Sequence, residues 1–309
     1  MTVDVRSTPS TRPRTTTPSD ATHGARTGTV SVAAPARQVV VRGRLSGRIG
    51  YGLLLVAAAL FALLIVLPIF AILLRVFTGA NVLVAVNKPV VWDALRLSLQ
   101  TSLLTLAITL VLGTPVAWLL ARRDFPGRAW LDSLIELPMV LPPAVAGIGL
   151  LMAFGRRGLL GPTLTGMGIT IGFTTAAVVL AQVFVAAPFY VRAARVGFRG
   201  VDRELEEMAA TMGASGWTSF WKVTVPLAFP SLLTGAAMCW ARALGEFGAT
   251  IMFAGSFQGR TQTMPLAIYA ALESDLDAAL AISAILVVVS FGLLGLVRLA
   301  ARRSGLADG

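Results

Sequence analysis

One cysteine, Cys239, and one histidine, His23, stand in the whole chain. A lone cysteine excludes an intrachain disulfide and a Cys-rich metal centre. A lone histidine, with no HExxH, excludes histidine-based zinc chemistry and a histidine proton relay. Lysine is nearly as scarce. Lys88 and Lys222 are the only two, and neither stands in GxxxxGK[ST]. No Walker A phosphate cradle can form, so this chain is not expected to hydrolyse ATP. Charge of either sign is thin as well: 13% of 309 residues are Asp, Glu, Lys or Arg, against about 25% in a soluble domain.

Apolar residues fill the space. They make up 56% of the chain, and the mean hydropathy is +0.78. That composition belongs to a membrane protein. The net charge of +11 would suggest nucleic acid in a soluble chain. In a membrane protein, Arg and Lys gather in cytoplasmic loops, so no nucleic-acid partner is expected.

Residues 1–48 are rich in Thr, Ser, Pro and Arg, with almost no large apolar residue before Val39. Such a segment cannot offset its ordering entropy by burial and reads as a disordered cytoplasmic tail. A transmembrane helix needs roughly 20 mainly apolar residues. Six stretches qualify: about 51–77, 94–121, 130–154, 173–194, 227–254 and 277–299. They predict an all-α, six-span domain over 49–303 and a short tail at 304–309. The third stretch contains Pro138, Pro142 and Pro143. Proline removes a backbone donor, and a broken helix survives in lipid only where protein or water satisfies the freed groups. That span is expected to face the bundle or a pathway, through Pro142 and Pro143.

Placing both termini in the cytoplasm puts Arg37, Arg42, Arg44, Arg48, Arg122, Arg123, Arg128, Arg192, Arg195, Arg199, Arg203, Lys222, Arg298, Arg302 and Arg303 inside. Only Arg75, Lys88, Arg96, Arg156, Arg157 and Arg260 then lie outside. The imbalance favours this orientation in a cytoplasmic membrane.

The longest inner loop, 195–226, lies within "RVGFRGVDRELEEMAATMGASGWTSFWKVTVPLAFP" (195–230). Asp202 is a good N-cap, followed by Glu204, Glu206 and Glu207, which the helix dipole favours. Leu205, Met208, Ala209 and Met212 share one apolar face. Gly213 suits a helix stop. A second short helix with Trp217, Phe220 and Trp221 should follow, and Pro226 should mark the start of the fifth span. The pattern fits two uses: lying on the chain's own membrane domain, or docking a soluble partner.

Glu207, Ala209, Gly213, Val223, Val225 and Pro226 resemble the EAA loop of bacterial ABC importer permeases: E-A-A, three residues, G, nine residues, I-x-L-P. Met208 departs from the second position, and Val replaces Ile and Leu. "FPGRAWLDSLIELPMVLPPAVAG" (125–147), "GRRGLLG" (155–161) and "RALGEFGATIMFAG" (242–255) resemble the molybdate branch of the molybdate/tungstate/sulfate permeases. The resemblance covers about residues 51–300. It implies a type I ABC importer permease fold in a prokaryotic cytoplasmic membrane, with no cofactor. It further implies a homodimer, a cytoplasmic ATP-binding subunit docked on Glu207, Ala209, Gly213 and Pro226, and an extracytoplasmic molybdate-binding protein. A sulfate, thiosulfate or tungstate permease would share this architecture. A secondary transporter often shows internal repeats and paired broken helices, whereas proline breaks occur here only in the third span.

Arg242 and Glu246 stand inside the fifth stretch, where one ionised side chain costs about 2.5–3.5 kcal/mol on insertion scales. The two are spaced i, i+4 on one helical face and can pair, and that face is expected to turn away from lipid. Gly245 and Gly248 would let another backbone approach. Two roles fit: a staple between two copies of the fifth span, or a lining of the translocation path. Arg156 and Arg157, on the outer side, are a second place for anion attraction or for meeting a binding protein.

Overall fold

The computed structural model describes residues 48–79 and 84–303. The expected tails therefore lie outside the described residues, apart from Arg48. Two units divide at Leu55. The first contributes to the described residues only the beginning of helix α1 (Arg48–Thr78). The rest of α1 and all later elements belong to the second.

Every regular element among the described residues is helical. Helix α2 (Pro89–Arg122) is followed by α3 (Arg128–Val140) and α4 (Pro143–Phe154), whose axes differ by 118°. A short α5 (Gly161–Gly166) leads to α6 (Thr175–Gly200). Next come α7 (Arg203–Thr211) and α8 (Gly216–Ser219). A π-helical turn at Phe220–Thr224 then runs directly into α9 (Val225–Leu244). The chain finishes with α10 (Gly248–Ala254), α11 (Met264–Leu272) and α12 (Leu276–Arg303). Among the described residues, five helical stretches are long and apolar enough to cross a membrane, or six if the bent α3–α4 pair is one span.

The core lies where α2, α6 and α9 meet. Ala117, Ala186, Tyr190, Ala194, Phe198, Cys239 and Ala243 are buried there. Small residues set the spacing, because lipid gives helices no hydrophobic reason to associate and close packing must hold them. A Cβ on Gly235 would come within 2.8 Å of Ala193 Cβ, and one on Gly197 within 2.5 Å of Ser231 Cβ. A polar seam runs along one face of α2 through Ser98, Thr101, Ser102 and Thr105, all buried. Thr105 donates to Gln182 Oε1 at 3.0 Å, and Trp240 Nε1 donates to Ser102 Oγ at 3.0 Å. Each such bond contributes about 0.6 kcal/mol in a membrane protein, and together they fix the rotation of α6 and α9 against α2.

Two expectations need correction. The fifth stretch is not one helix to residue 254. It stops at Leu244, and α10 begins at Gly248. The second short helix of the inner loop is not separate either. Its π turn continues into α9, whose first turn holds Pro226, as expected of the start of the fifth span. The helix is continuous through this point, with Val225 N–H bonded to the Phe220 carbonyl, and the missing N–H of Pro226 falls just after the π turn, where the regular ladder is already interrupted.

Candidate functional site

The inner loop is held by its own chemistry. Asp202 caps α7 by accepting from Glu204 N at 3.0 Å. The helix ends at Thr211 with Met212 as its C-cap, and Gly213 takes φ +88°, open to glycine at no steric cost. Of the apolar face, only Ala209 is buried, whereas Met208 is 61% and Met212 82% exposed. Glu207, Gly213 and Pro226 are also exposed. The chain thus leaves most of this face without a partner of its own.

What fixes α7 to the bundle is Glu206, which the sequence suggested only as a dipole partner. Its Oε1 accepts from Arg122 Nη2 at 2.8 Å and from Thr224 Oγ1 at 2.6 Å. Arg122 Nη2 also donates to the Val201 carbonyl at 3.0 Å. One carboxylate oxygen therefore joins the inner-loop helix to the end of α2 and to the turn that opens α9. Phe220 adds an apolar joint. Its ring centroid lies 6.0 Å from that of Trp118, 6.1 Å from Phe198 and 5.3 Å from Trp221.

The second cluster forms around the interruption between α9 and α10. Arg242 lies in the last turn of α9, where carbonyls without partners favour a cation. Glu246 lies in the interruption, 1% exposed, and its Oε1 accepts from Ala249 N at 2.8 Å. It thus satisfies a free donor at the start of α10. Arg242 Nη1 is 2.6 Å from Glu246 Oε2, close enough to pair though not along a hydrogen-bonding direction. The pair therefore spans a helix break rather than one helical face. Each charge sits at the helix end that stabilises it.

The glycines divide. Gly248 makes a close approach within this chain, since a Cβ there would meet Pro143 Cβ at 2.7 Å. Gly147 does the same from α4, its Cβ falling 2.6 Å from the Ala249 carbonyl oxygen. Gly245 meets nothing nearer than its own helix's Ala241 oxygen at 3.6 Å, so the expected approach of another backbone is not made there by this chain. Pro142 caps α4, its carbonyl accepting from Ala146 N at 3.1 Å. The structure thus brings Pro143, Gly248, Glu246 and Arg242 to one place where two interrupted spans meet. Arg195 ties the other arm of the bent pair to α6 by pairing with Asp132 and, at 3.4 Å, with Glu136. No group of His, Cys, Asp or Glu able to hold a metal occurs among the described residues.

Comparison with known proteins agrees with this architecture. Residues 113–305 match the model of the binding-protein-dependent transport system inner membrane component family. The molybdenum transport system permease protein ModB of Mycobacterium tuberculosis is 45% identical over 226 residues, 73% of this chain and 85% of that protein. A probable sulfate transport system permease protein, cysT, of Zygnema circumcarinatum is 36% identical over 245 residues, 78% of this chain and 85% of that one. A bacterial alginate ABC transporter, solved with an alginate pentasaccharide-bound periplasmic protein, superposes with a TM-score of 0.67 at 14% identity. That match covers 84% of this chain and 96% of the other; at such identity it establishes the fold. With an all-helical body of five or six candidate spans and its matched family model, the chain belongs to the binding-protein-dependent transport system inner membrane components, the permease subunits of ABC importers.

Proposed function

We propose that this chain is the membrane-spanning subunit of an ATP-driven molybdate importer and works as a homodimer. The observation that carries the substrate is the 45% identity to a molybdenum permease, against 36% to a sulfate permease over a similar length. The ATP-binding subunit docks on the exposed face of α7 and its flanks, at Glu207, Gly213 and Pro226, while buried Ala209 seats the helix on the chain's own bundle. This placement is supported by the capped helix and by an apolar face that the chain leaves uncovered.

ATP binding draws the two ATPase subunits together and moves α7. Glu206 carries that movement to Arg122 on α2, and Phe220 carries it to Trp118 and Phe198. The spans swing from inward-open to outward-open, an extracytoplasmic binding protein releases its anion, and hydrolysis resets the cycle. Molybdate is a dianion, so its route needs positive charge that does not hold it tightly. Arg242, 28% exposed by side chain and partly neutralised by Glu246, meets that need at the meeting point of the interrupted spans.

The test is uptake of labelled molybdate by membrane vesicles holding this permease and its ATPase subunit, supplied with the molybdate-binding protein, with tungstate, sulfate and thiosulfate as competitors. Molybdate uptake that excess sulfate does not reduce is the expected result. Sulfate uptake that molybdate fails to inhibit would transfer the assignment to the sulfate branch.

A further inference from the structure

On the face that the Arg and Lys distribution assigns to the outside, the segments 154–174 and 257–260 enclose an open cavity of about 470 Å³. Arg156 and Arg260 both line it, and no carboxylate does. Among the described residues, neither arginine makes an ion pair. Lys88, also on this face, is answered by Asp275, and Asp93 accepts from Gln258 at 3.1 Å. Arg156 and Arg260 thus share one cavity with no counter-charge in its lining, on the side of the membrane where arginine is normally sparse.

The backbones that carry them are fixed. The 155–161 segment winds so tightly that a Cβ on Gly161 would lie 2.2 Å from the Gly155 carbonyl oxygen and 2.6 Å from that of Arg156. The Arg260 turn closes on the Phe257 carbonyl, which accepts from Arg260, Thr261 and Gln262 N–H groups at 3.1, 2.9 and 3.0 Å. It is pinned to the start of α6 by Thr175 Oγ1, which donates to the Arg260 carbonyl at 2.9 Å. Phe173, on the cavity wall, holds φ +62°, and no other non-glycine residue among those described has a positive φ. Such a conformation costs of order 1–3 kcal/mol and persists where its surroundings enforce it, often at clamps and binding sites.

We propose that this cavity is the socket for an acidic prominence of the extracytoplasmic binding protein, with Arg156 and Arg260 receiving its carboxylates. This rests on the importer reading above. The rim decides between a protein and a free anion. Ile169, Phe173 and Phe257, each about half exposed, surround the cations with apolar surface. A small oxyanion has no use for such a rim, whereas arginine anchors within an apolar ring are what protein interfaces use. The role of the two arginines is to orient the loaded binding protein over the route, with a favourable field that salt screens.

The test uses the permease–ATPase complex in nanodiscs and the purified molybdate-binding protein as probe. Its Kd is measured at low and high salt for the native complex, R156E/R260E and R156K/R260K. Copurification with the ATPase subunit controls for assembly. The expected result is a Kd raised about thirtyfold by the charge reversal and less than about fivefold by the lysine pair, with salt weakening only the native and lysine complexes. An unchanged Kd and salt response in R156E/R260E overturns the proposal. So does calorimetric binding of molybdate alone that the reversal abolishes while binding-protein affinity stays native, since the cavity then serves the free anion. If the binding protein fails to bind even the native complex, the importer reading falls too.

Discussion

A Cβ on Gly248 would stand 2.7 Å from Pro143 Cβ, so the two interrupted spans touch where each is broken. Pro143 is the rigid half of that contact, and it cannot give way. Gly248→Ala should therefore lower stability by about 1–3 kcal/mol, the usual cost of overpacking, and reduce uptake. Gly245→Ala, at a position with φ −89° and no close neighbour outside its own helix, should change either by little. Thermal unfolding of both variants in detergent checks the contrast; equal effects would contradict the contact.

Glu206 and Glu207 are adjacent but face different tasks. Glu206→Ala leaves the Arg122 guanidinium, 7% exposed by side chain, with the Val201 carbonyl alone. A loss of about 2 kcal/mol follows from an unpaired and largely buried charge. The complex should still form and hydrolyse ATP but transport at least about tenfold less, because α7 no longer grips α2. Glu207→Ala should instead weaken copurification with the ATPase subunit. Identical defects in the two variants would refute this division.

Gly213 at φ +88° ends α7. A branched side chain in that region costs roughly 1–2 kcal/mol and redirects the chain that follows. Gly213→Leu should reach the membrane but fail to copurify with the ATPase subunit. Normal copurification and uptake would remove α7 from the docking surface.

Lys88 bonds to Asp275, and the Ala278 N–H bonds to the same carboxyl. The lysine first and the N–H second hold its pKa below the ordinary carboxylate value. A depressed folded-state pKa stabilises above the unfolded pKa and loses that effect as pH falls through the folded value. Asp275→Asn should therefore be less heat-stable than native at neutral pH, and the difference should vanish once pH drops below the carboxylate range. A constant difference across that range, seen by thermal scans at several pH values, would show that the charge is not involved.

Hydrocarbon excludes unsatisfied backbone, so the six spans were legible as apolar runs, and the Pro142–Pro143 pair marked the first interruption. The second was hidden. No proline stands at 245–247, and apolar residues continue on both sides. The signal is Glu246 itself: a carboxylate three residues before Ala249, placed to cap a new helix rather than extend the old one. The Glu206 link was invisible for another reason. Arg122 is 84 residues away, and no local pattern pairs them. Of the two glycines expected to admit another backbone, Gly248 meets Pro143 and Ala144 of α4 within this chain, while Gly245 faces no other element of it.

The ion pair in the second interruption is where assembly and transport separate. Arg242→Ala and Glu246→Ala each strand a charge, which is worse than losing both, so each should impair assembly. The double variant R242M/E246Q should assemble better than either. The decisive measurement is ATP-dependent uptake of labelled molybdate, delivered by its binding protein, by proteoliposomes holding equal amounts of native or R242M/E246Q complex. Arg242 on the oxyanion route predicts native uptake that requires ATP and a loss of at least about tenfold in the assembled double variant. Uptake restored to the native rate would make the pair a structural staple and take it off the route.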